Sequence, residues 1–406
     1  MGEPIEIERA RALVLERTRA LEPETVAVGD ALGRVLAEDV TSADPVPGFD
    51  NSAMDGYAVR AADTTGATGA EPARLPVVGE SRAGHPAARA LGAGEAIAIS
   101  TGAMLPEGAD AVIRVEDTDG GAESVAISVE VSPGEDVRRA GEDIEAGRTV
   151  IVVGTELDPA GIGVLASVGR SEVSCRLRPR VTVLTTGDEL QEPGGPLRPG
   201  AIRNSNAHSL AGLVERAGAE LVGARIVPDD PAATEAALAA AFDGDIVVVS
   251  GGVSVGPHDH VRPALERLGA ELVFWRVALR PGAPTYFGVG PRDGAPLCFG
   301  LPGNPVSAIV TFLLFVRPAI RAMLGTPDER PRTTAVLANE LPALSARTQM
   351  VRCRLELRDD GWHAHATGPQ GSHVLTSMLG ADALAILPPA EAPYPAGARV
   401  EVELLP

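Results

Sequence analysis

The sequence DIVVVSGGVSVGPHD, residues 245–259, joins a run of β-branched apolar residues to a glycine-rich loop. Similar apolar runs recur between residues 178 and 325 and alternate with helix-like segments. This alternation predicts a mostly parallel sheet with helices on both faces. The predicted strands are 181–186, 220–227, 245–250, 272–279 and 297–300, and the predicted helices are 207–217, 231–242, 259–268 and 305–323.

An unusual loop follows each of these predicted strands. In an open sheet of parallel strands, ligands bind beyond the carboxyl ends of the strands. We therefore expect the loops to converge on one edge of the sheet and to form a large binding crevice. The five loops are residues 187–190, 228–231, 251–259, 280–284 and 301–305.

The loop SGGVSVG at residues 250–256 has the composition of a phosphate cradle. Glycines let backbone N–H groups approach a phosphate closely, and a serine adds a hydroxyl donor. The same loop is equally typical of a tight turn from strand to helix, and it lacks both the Walker and the GxGxxG spacing. The candidate phosphate ligands are Gly251, Gly252, Ser254 and Gly256.

Pro302, Gly303 and Asn304 precede a strongly apolar helix. They predict either a second anion site at the helix N-terminus or a rigid turn with a helix cap. The segment 204–206, Asn-Ser-Asn, is most simply a capping segment for the helix that follows it.

Acidic residues gather in the same loops. Any one of them is also typical of an acidic protein surface. Carboxylates beside a phosphate cradle would repel an anionic substrate, and a Mg²⁺ ion held by one or two of them would remove that repulsion. A role as Mg²⁺ ligand is favoured most for Asp229 and Asp259. The full set is Asp188, Glu189, Asp229, Asp230 and Asp259.

His258 and His260 flank one of these acids, Asp259. Two histidines at positions i and i+2 do not share a helix face, which argues against a zinc pair.

The loop PVPGFDNSAMDGYAVR, residues 45–60, combines two prolines with several turn-forming residues. It carries Asp50 and Asp55 among small neighbours, which is a poor basis for a core but a good one for presenting a carboxylate to a ligand.

Composition limits the classes of function. A length of 406 residues predicts two to four domains. A net charge of −20 argues against nucleic-acid binding. The sequence shows neither an apolar run long enough to span a bilayer nor a secretory signal, and its three cysteines have no metal-ligand spacing, so we expect a cytoplasmic protein without a membrane partner. All 35 basic residues are arginine.

The remaining segments predict smaller domains. Residues 5–21 form an amphipathic helical pattern, and residues 25–42 read as strand, short helix and strand. Residues 60–145 contain short apolar runs typical of a small all-β domain. Asp158 and Pro159 predict the start of a helix that runs to about residue 167, and residues 332–406 return to short strands.

Six motifs together resemble those of the molybdopterin molybdenumtransferases, the bacterial molybdenum-insertion enzymes related to the C-terminal domain of gephyrin. They occur in the family's order and cover nearly the whole chain. The motifs are PVPGFDNSAMDGYAVR (45–60), AGEDI (140–144), TTGDEL (185–190), IRNSNAHSL (202–210), SGGVSVGPHD (250–259) and GLPGNPVSAIVTF (300–312).

This resemblance implies a multidomain α/β plus β protein, with a central molybdopterin-binding-like α/β sheet, that acts as a homodimer. Four domains are implied: residues 1–44 with 146–177 for dimerisation, a small β domain at 45–145, the α/β domain at 178–326 and a C-terminal β domain at 327–406. The implied reaction inserts molybdenum from molybdate into adenylated molybdopterin with Mg²⁺ and releases AMP. Contact with other proteins of molybdenum cofactor biosynthesis is a further expectation.

The resemblance also assigns roles to residues. The implied catalytic residues are Asp55, Thr101, Asp143 and Glu189. Gly187 and Asp188 join the glycine loop and the PGN segment in substrate binding. Asp229 and Asp259 are the implied metal ligands, and Arg280, Arg352 and Ser372 match positions associated with molybdate.

The chain departs from the family at one place. The family motif is commonly KPGKP, whereas residues 280–284 read Arg-Pro-Gly-Ala-Pro, so Ala283 lacks a positive charge. Three explanations stay open at this point. Arg276, Arg280 or Arg352 compensates; molybdate binds weakly; or the chain is a non-catalytic pterin carrier or scaffold.

Overall fold

The computed structural model describes residues 3–253, 259–291, 295–326 and 331–405. The chain forms two compact units. The larger unit comprises Met1–Thr25, Gly33–Ala37 and Ser174–Pro406, and the smaller unit comprises Val26–Leu32 and Glu38–Val173. The four-domain division stays a prediction.

A six-stranded α/β sheet lies at the centre of the larger unit. Its strands, in spatial order, are Glu220–Val227, Arg180–Thr186, Ile246–Ser250, Leu297–Leu301, Tyr286–Val289 and Glu271–Trp275. The first four are parallel, and Tyr286–Val289 runs antiparallel to both of its neighbours. All five residues of Ile246–Ser250 are buried, as expected for a strand covered on both faces. The mostly parallel sheet is therefore confirmed.

One predicted strand of this sheet is wrong. Residues 272–279 were expected to be continuous, but the strand ends at Trp275, and Arg276 adopts a left-handed conformation with φ of 79°. The next strand, Leu279–Arg280, pairs instead with the C-terminal sheet. The loop at residues 280–284 therefore follows a strand of another sheet, and four loops rather than five follow strands of the α/β sheet.

Helices cover both faces of the α/β sheet, as predicted. They are Ile7–Glu16, Ser205–Arg216, Pro231–Ala241, Val261–Arg267, Pro305–Thr311 and Arg317–Met323, the last two joined by a π-helical turn, Phe312–Val316. The first helix buries Ala10 and Val14 in the same core as Ile320, although the predicted division assigned residues 1–44 to another domain.

The continuous segment Pro305–Met323 is the one helix in the described ranges that is long and apolar enough to cross a membrane. Its most apolar window is 78% buried inside the protein, which is the packing of a core helix.

The C-terminal strands close into a barrel. In spatial order the strands are Leu279–Arg280, Thr348–Arg358, Gly361–Ala366, Arg332–Leu337, Arg399–Leu404 and Ala383–Leu387. Ala383–Leu387 also pairs with Thr348–Arg358, which closes the barrel. In the sequence, a short 3₁₀ turn, Leu375–Met378, comes before the strand Ala383–Leu387. Closure leaves few unpaired edges, and alternate residues such as Val351, Cys353 and Val402 fill the interior. The C-terminal β domain is confirmed.

The smaller unit contains the predicted all-β region. Its five-stranded sheet has the order Ala111–Arg114, Gly56–Val59, Ala96–Ile99, Ala73–Ser81 and Ser124–Ile127. Two-stranded sheets pair Asn51–Ser52 with Val137–Arg138 and Val40–Thr41 with Thr149–Ile151. Short 3₁₀ turns lie at Val28–Asp30, Ala61–Thr64 and Val115–Asp117.

The remaining strands form two short two-stranded sheets. They pair Pro23–Ala27 with Glu172–Arg176, and Leu190–Gln191 with Ile202–Arg203. The predicted helix after Asp158 is Pro159–Ser167, and the Asp158 carboxylate accepts a hydrogen bond from the Gly161 N–H at 2.7 Å.

Candidate active site

Asp188 and Asp229 lie together at the carboxyl edge of the α/β sheet. The Asp229 N–H donates to Asp188 Oδ1 at 3.1 Å, and the Asp188 N–H donates to Asp229 Oδ2 at 3.4 Å. These reciprocal bonds clamp two loops that are about forty residues apart in sequence and bring a predicted substrate residue beside a predicted metal ligand. Each carboxylate keeps one oxygen that accepts no hydrogen bond in the described structure.

Glu189 folds back over its own loop. Gly187 has φ of 146°, and a Cβ atom there would lie 2.5 Å from Glu189 Oε2. Glycine at position 187 is thus favoured by the backbone conformation, and a larger residue would also have to displace the Glu189 carboxylate.

Asp230 and Asp259 differ from the Asp188–Asp229 pair. Asp230 accepts a hydrogen bond from the Ala233 N–H at 2.8 Å and caps the helix Pro231–Ala241. Both carboxylate oxygens of Asp259 are shielded from solvent. Within the described residues no group of three or more His, Cys, Asp or Glu side chains could hold a metal ion. Mg²⁺ therefore stays a prediction. Such an ion needs only one or two protein carboxylates when phosphate and water supply the other oxygens, and Asp188 and Asp229 are the two that the structure brings together.

The glycine-rich loop begins with two residues in left-handed conformations, Gly251 with φ of 97° and Gly252 with φ of 64°. A Cβ atom at Gly251 would lie 2.8 Å from Thr186 Oγ1, and one at Gly252 would lie 2.9 Å from the same oxygen. Backbone therefore approaches the end of the neighbouring strand closely here. Ser254, Gly256 and His258 lie outside the described residues.

Thr186 was not singled out from the sequence, although it belongs to the motif TTGDEL. Its hydroxyl oxygen is buried and has no hydrogen-bond partner in the described part of the chain. A buried hydroxyl without a partner costs free energy, so this oxygen is suited to contact a bound ligand.

Asn204 and Asn206 hold this edge together. Asn204 Oδ1 accepts a hydrogen bond from the Ala207 N–H at 3.3 Å, which confirms the predicted cap. Asn206 Nδ2 donates to Ser250 Oγ at 2.9 Å and to the Gly303 carbonyl at 2.8 Å. The contacts of Asn206, which tie the PGN segment to the end of a central strand, could not be predicted from the sequence.

The PGN segment opens the helix Pro305–Thr311 without a capping side chain. Asn304 occupies the N-cap position, and its side chain makes no capping hydrogen bond. The Val306 N–H donates to the Ser372 carbonyl at 3.1 Å, so one donor of the helix N-terminus is already used. A Cβ atom at Gly303 would lie 3.7 Å from Gly251 Cα, so the two glycine segments are in contact.

In the smaller unit, Asp55 and Thr101, two of the implied catalytic residues, lie together. Asp55 Oδ1 accepts hydrogen bonds from the Thr101 N–H at 2.7 Å and from Thr101 Oγ1 at 3.1 Å. These two donors fix the carboxylate and leave Oδ2 exposed to a ligand. Gly56 is required next to it, because a Cβ atom there would lie 1.8 Å from the Ile113 carbonyl oxygen.

Asp50, the other acid of this loop, has a structural role. Arg139 Nη1 donates to Asp50 Oδ2 at 2.6 Å, and the Ala140 N–H donates to Oδ1 at 2.8 Å. The hydrogen bond from the Ala140 N–H lowers the pKa of Asp50 most, and the Arg139 guanidinium lowers it further. The loop was expected to present a carboxylate to a ligand, and because both oxygens of Asp50 accept hydrogen bonds, Asp55 is the acid left for that role.

Asp143 lies on the segment that packs against this loop. Its backbone N–H donates to the Val46 carbonyl at 3.1 Å, and its side chain is exposed.

The arginines predicted to bind molybdate lie beside the C-terminal barrel. Arg280 and Arg352 line a pocket of about 50 Å³. Arg352 is 1% exposed and donates to Ser377 Oγ and to the carbonyls of Pro369 and Gly371. Burial and, secondly, the charge of Arg280 lower the pKa of Arg352 to about 10.

Ser372 and Arg276 do not line this pocket in the described structure. Ser372 follows Gly371, a partner of Arg352, and Gln370 lines the pocket instead. Arg276 lies over the Trp275 ring, with its guanidinium carbon 5.8 Å from the ring centroid.

Three family models match most of the chain. The model described as "MoeA N-terminal region (domain I and II)" matches residues 5–169. "Probable molybdopterin binding domain" matches residues 182–322, and "MoeA C-terminal region (domain IV)" matches residues 334–405.

Full-length relatives agree with these matches. A Mycobacterium tuberculosis protein named molybdopterin molybdenumtransferase 2 is 41% identical over 407 residues, covering 98% of each chain. The molybdopterin molybdenumtransferase of Haemophilus influenzae is 36% identical over 98% of each chain. The crystal structure of a molybdopterin biosynthesis MoeA protein from Pyrococcus horikosii superposes with a TM-score of 0.82 at 35% identity, covering 99% of both chains.

Proposed function

Because the chain belongs to the MoeA family of molybdopterin molybdenumtransferases, we propose that it inserts molybdenum from molybdate into adenylated molybdopterin and releases AMP. The observation that carries this proposal is similarity over the full length to proteins of that name. A transferase of this kind needs a site for phosphates, a way to neutralise their charge and a separate site for an oxyanion. The described residues offer candidates for each of these.

The glycine loop and the PGN segment are suited to hold the phosphates of the substrate. Gly251 and Gly252 adopt left-handed conformations at the end of a central strand, and Gly303 lies against Gly251. The Gly251 N–H already donates to the Leu301 carbonyl at 3.0 Å, so the donors left for phosphate are those of the residues that follow it. Backbone N–H groups in such loops stabilise phosphate charge without a side chain. The Thr186 hydroxyl lies at the end of the neighbouring strand, close to both glycines, and is available as a further donor.

Mg²⁺ is the cofactor in this proposal. Asp229 and Asp259 are its predicted ligands, and the contact between Asp188 and Asp229 adds Asp188 as a third candidate. When bound, the ion would neutralise phosphate charge while AMP leaves.

Asp55 is the proposed acid–base group. Thr101 holds Oδ1 with two donors, so the carboxylate keeps one orientation, and Oδ2 is left to accept a proton or hydrogen bond from the substrate. Glu189 and Asp143 are proposed to assist, since both carry carboxylates on loops that the resemblance assigns to the site.

A homodimer is also part of the proposal. Exposed apolar side chains surround the Asp55 loop, which supports a contact surface there. They are Phe49, Met54 and Met104, which are 41%, 37% and 38% exposed. We place the dimer in the cytoplasm, in contact with other proteins of molybdenum cofactor biosynthesis.

The test is molybdate-dependent release of AMP. The purified protein is incubated with adenylated molybdopterin and Mg²⁺, and AMP is measured with and without molybdate. We expect AMP only when molybdate is added. A protein that binds the pterin but releases no AMP at high molybdate would instead be a carrier, and this result would overturn the proposal.

A further inference from the structure

A second arginine pocket lies next to the one that contains Arg352. It has a volume of about 320 Å³ and is lined by Arg280, Leu344, Ser345, Ala346 and Arg347. Arg280 lines both pockets, so it joins them into one cationic region. No acidic residue lines either pocket in the described ranges.

Strand pairing brings Arg347 and Arg280 together. Leu279 pairs with Thr348, and Arg280 pairs with Gln349, in parallel register. The Thr348 N–H donates to the Ala278 carbonyl at 3.0 Å, so the pairing extends back toward Arg347. Arg347, the residue directly before the neighbouring strand, therefore stands two positions before Gln349, the register partner of Arg280. The two arginine side chains line the same pocket.

The charge of this region is not balanced by the protein. The chain as a whole is acidic, with 55 acidic and 35 basic residues, so a group of arginines without carboxylates runs against its overall charge. In the part of the chain that the structure describes, neither Arg280 nor Arg347 forms an ion pair or a side-chain hydrogen bond, and Arg352 bonds only to neutral acceptors. Three like charges without a carboxylate are stabilised by an anionic ligand.

We infer that Arg347 is a binding residue for a tetrahedral dianion such as molybdate or tungstate, and that it supplies the positive charge that Ala283 lacks. This inference rests on the proposed function, because it takes the oxyanion to be the molybdate substrate. Ala283 accepts backbone hydrogen bonds from Val277 and Thr285, both at 2.9 Å, and lines neither pocket. Arg276 also lines neither pocket.

The experiment measures binding of sodium molybdate, and separately of sodium tungstate, to the full-length protein by calorimetry. Arg347→Ala should weaken binding about tenfold, the size of one charge-assisted contact. Arg347→Lys should weaken it by roughly two- to fivefold, because lysine keeps the charge but loses the forked geometry of arginine.

Arg399→Ala is the matched control, because Arg399 is an exposed arginine on a strand of the same barrel and lines neither pocket. We expect the control to bind molybdate as the wild type does, with thermal unfolding unchanged in both alanine variants. Unchanged binding in Arg347→Ala, or an equal loss in Arg399→Ala, would overturn the inference.

Ala283→Lys gives an independent result. If Arg347 already supplies the charge, this variant should bind molybdate within about twofold of the wild type. Tenfold tighter binding would show that the charge was missing and would contradict the inference.

AMP release separates the inference from the proposed function. Binding of molybdate that depends on Arg347, in a protein that releases no AMP, would overturn the proposed function and support the oxyanion site. Normal AMP release, together with molybdate binding that is unchanged in Arg347→Ala, would support the proposed function and overturn the oxyanion site at Arg347.

Discussion

The loop 45–60 of the smaller unit and the acidic edge of the α/β sheet in the larger unit divide their carboxylates in the same way. In the loop, Asp50 has both oxygens bonded to Arg139 and Ala140, whereas Asp55 keeps Oδ2. At the sheet edge, Asp230 caps a helix, whereas its neighbour Asp229 accepts only a 3.4 Å bond. Acids close in sequence therefore have different tasks, and the donors that each one accepts distinguish a structural carboxylate from one available to a ligand.

The largest effect is expected at Asp55. Asp55→Ala should lower AMP release by at least about 100-fold, because it removes a positioned acid–base group. The measurement is the initial rate of AMP release at saturating molybdate, with the thermal midpoint recorded for each variant. Asp50→Asn is the control, and we expect its rate to stay within about threefold, since a surface substitution of this kind acts on stability. An equal loss of rate in both variants would remove the distinction between the two acids.

The second effect concerns Asp229. Asp229→Asn should raise the Mg²⁺ concentration needed for half-maximal AMP release by about tenfold, as loss of a group near a metal typically does. Asp230→Ala is its matched control at the adjacent position. It should leave the Mg²⁺ requirement unchanged and lower the free energy of unfolding by about 1 kcal/mol, the usual loss for an N-cap. If Asp230→Ala raised the Mg²⁺ requirement and Asp229→Asn did not, Asp230 rather than Asp229 would be the residue that binds the metal.

The smallest effect is the pH dependence of the Asp50 contacts. The pKa of Asp50 is lowered in the folded state, so the folded state favours its charged form. The stabilisation is therefore present above the unfolded pKa of about 3.9 and is lost as pH falls through the lower folded pKa. Because the pair is exposed, Asp50→Asn should cost less than about 1 kcal/mol at pH 7. Urea unfolding of both proteins should converge at acid pH, and a difference independent of pH would contradict this role.

Most of the α/β sheet could be predicted, because buried parallel strands form continuous apolar runs bounded by turns. The strand Glu220–Val227 has the predicted bounds. The break at Arg276 could not be predicted, since the left-handed conformation there is adopted by a non-glycine residue inside an apolar run. It is held by tertiary hydrogen bonds, such as the one from the Ile5 N–H to the Arg276 carbonyl at 3.1 Å.

The site was predictable to different degrees. Convergence of strand ends predicted that Asp188 and Asp229 would be near each other. No spacing rule connects Asp55 with Thr101. The family resemblance placed both in the catalytic set, and only the structure shows that they are in contact. Arg347 gave no signal at all, because an arginine in an irregular segment is an ordinary surface residue until the fold places it beside other arginines.

The backbone hydrogen bond from Val306 to Ser372 connects the arginine pocket to the PGN segment. Arg352 donates a hydrogen bond to the Gly371 carbonyl. The carbonyl of the next residue, Ser372, accepts a hydrogen bond from the N–H of Val306, the second residue of the helix that follows the PGN segment. A short chain of contacts thus connects the arginine pocket to a loop proposed to hold the pterin phosphates. If occupancy of the pocket shifts this chain, molybdate and the nucleotide-bearing substrate must change each other's affinity by the same factor. Titrating either ligand in the presence of the other would then reveal cooperativity between two sites within one chain.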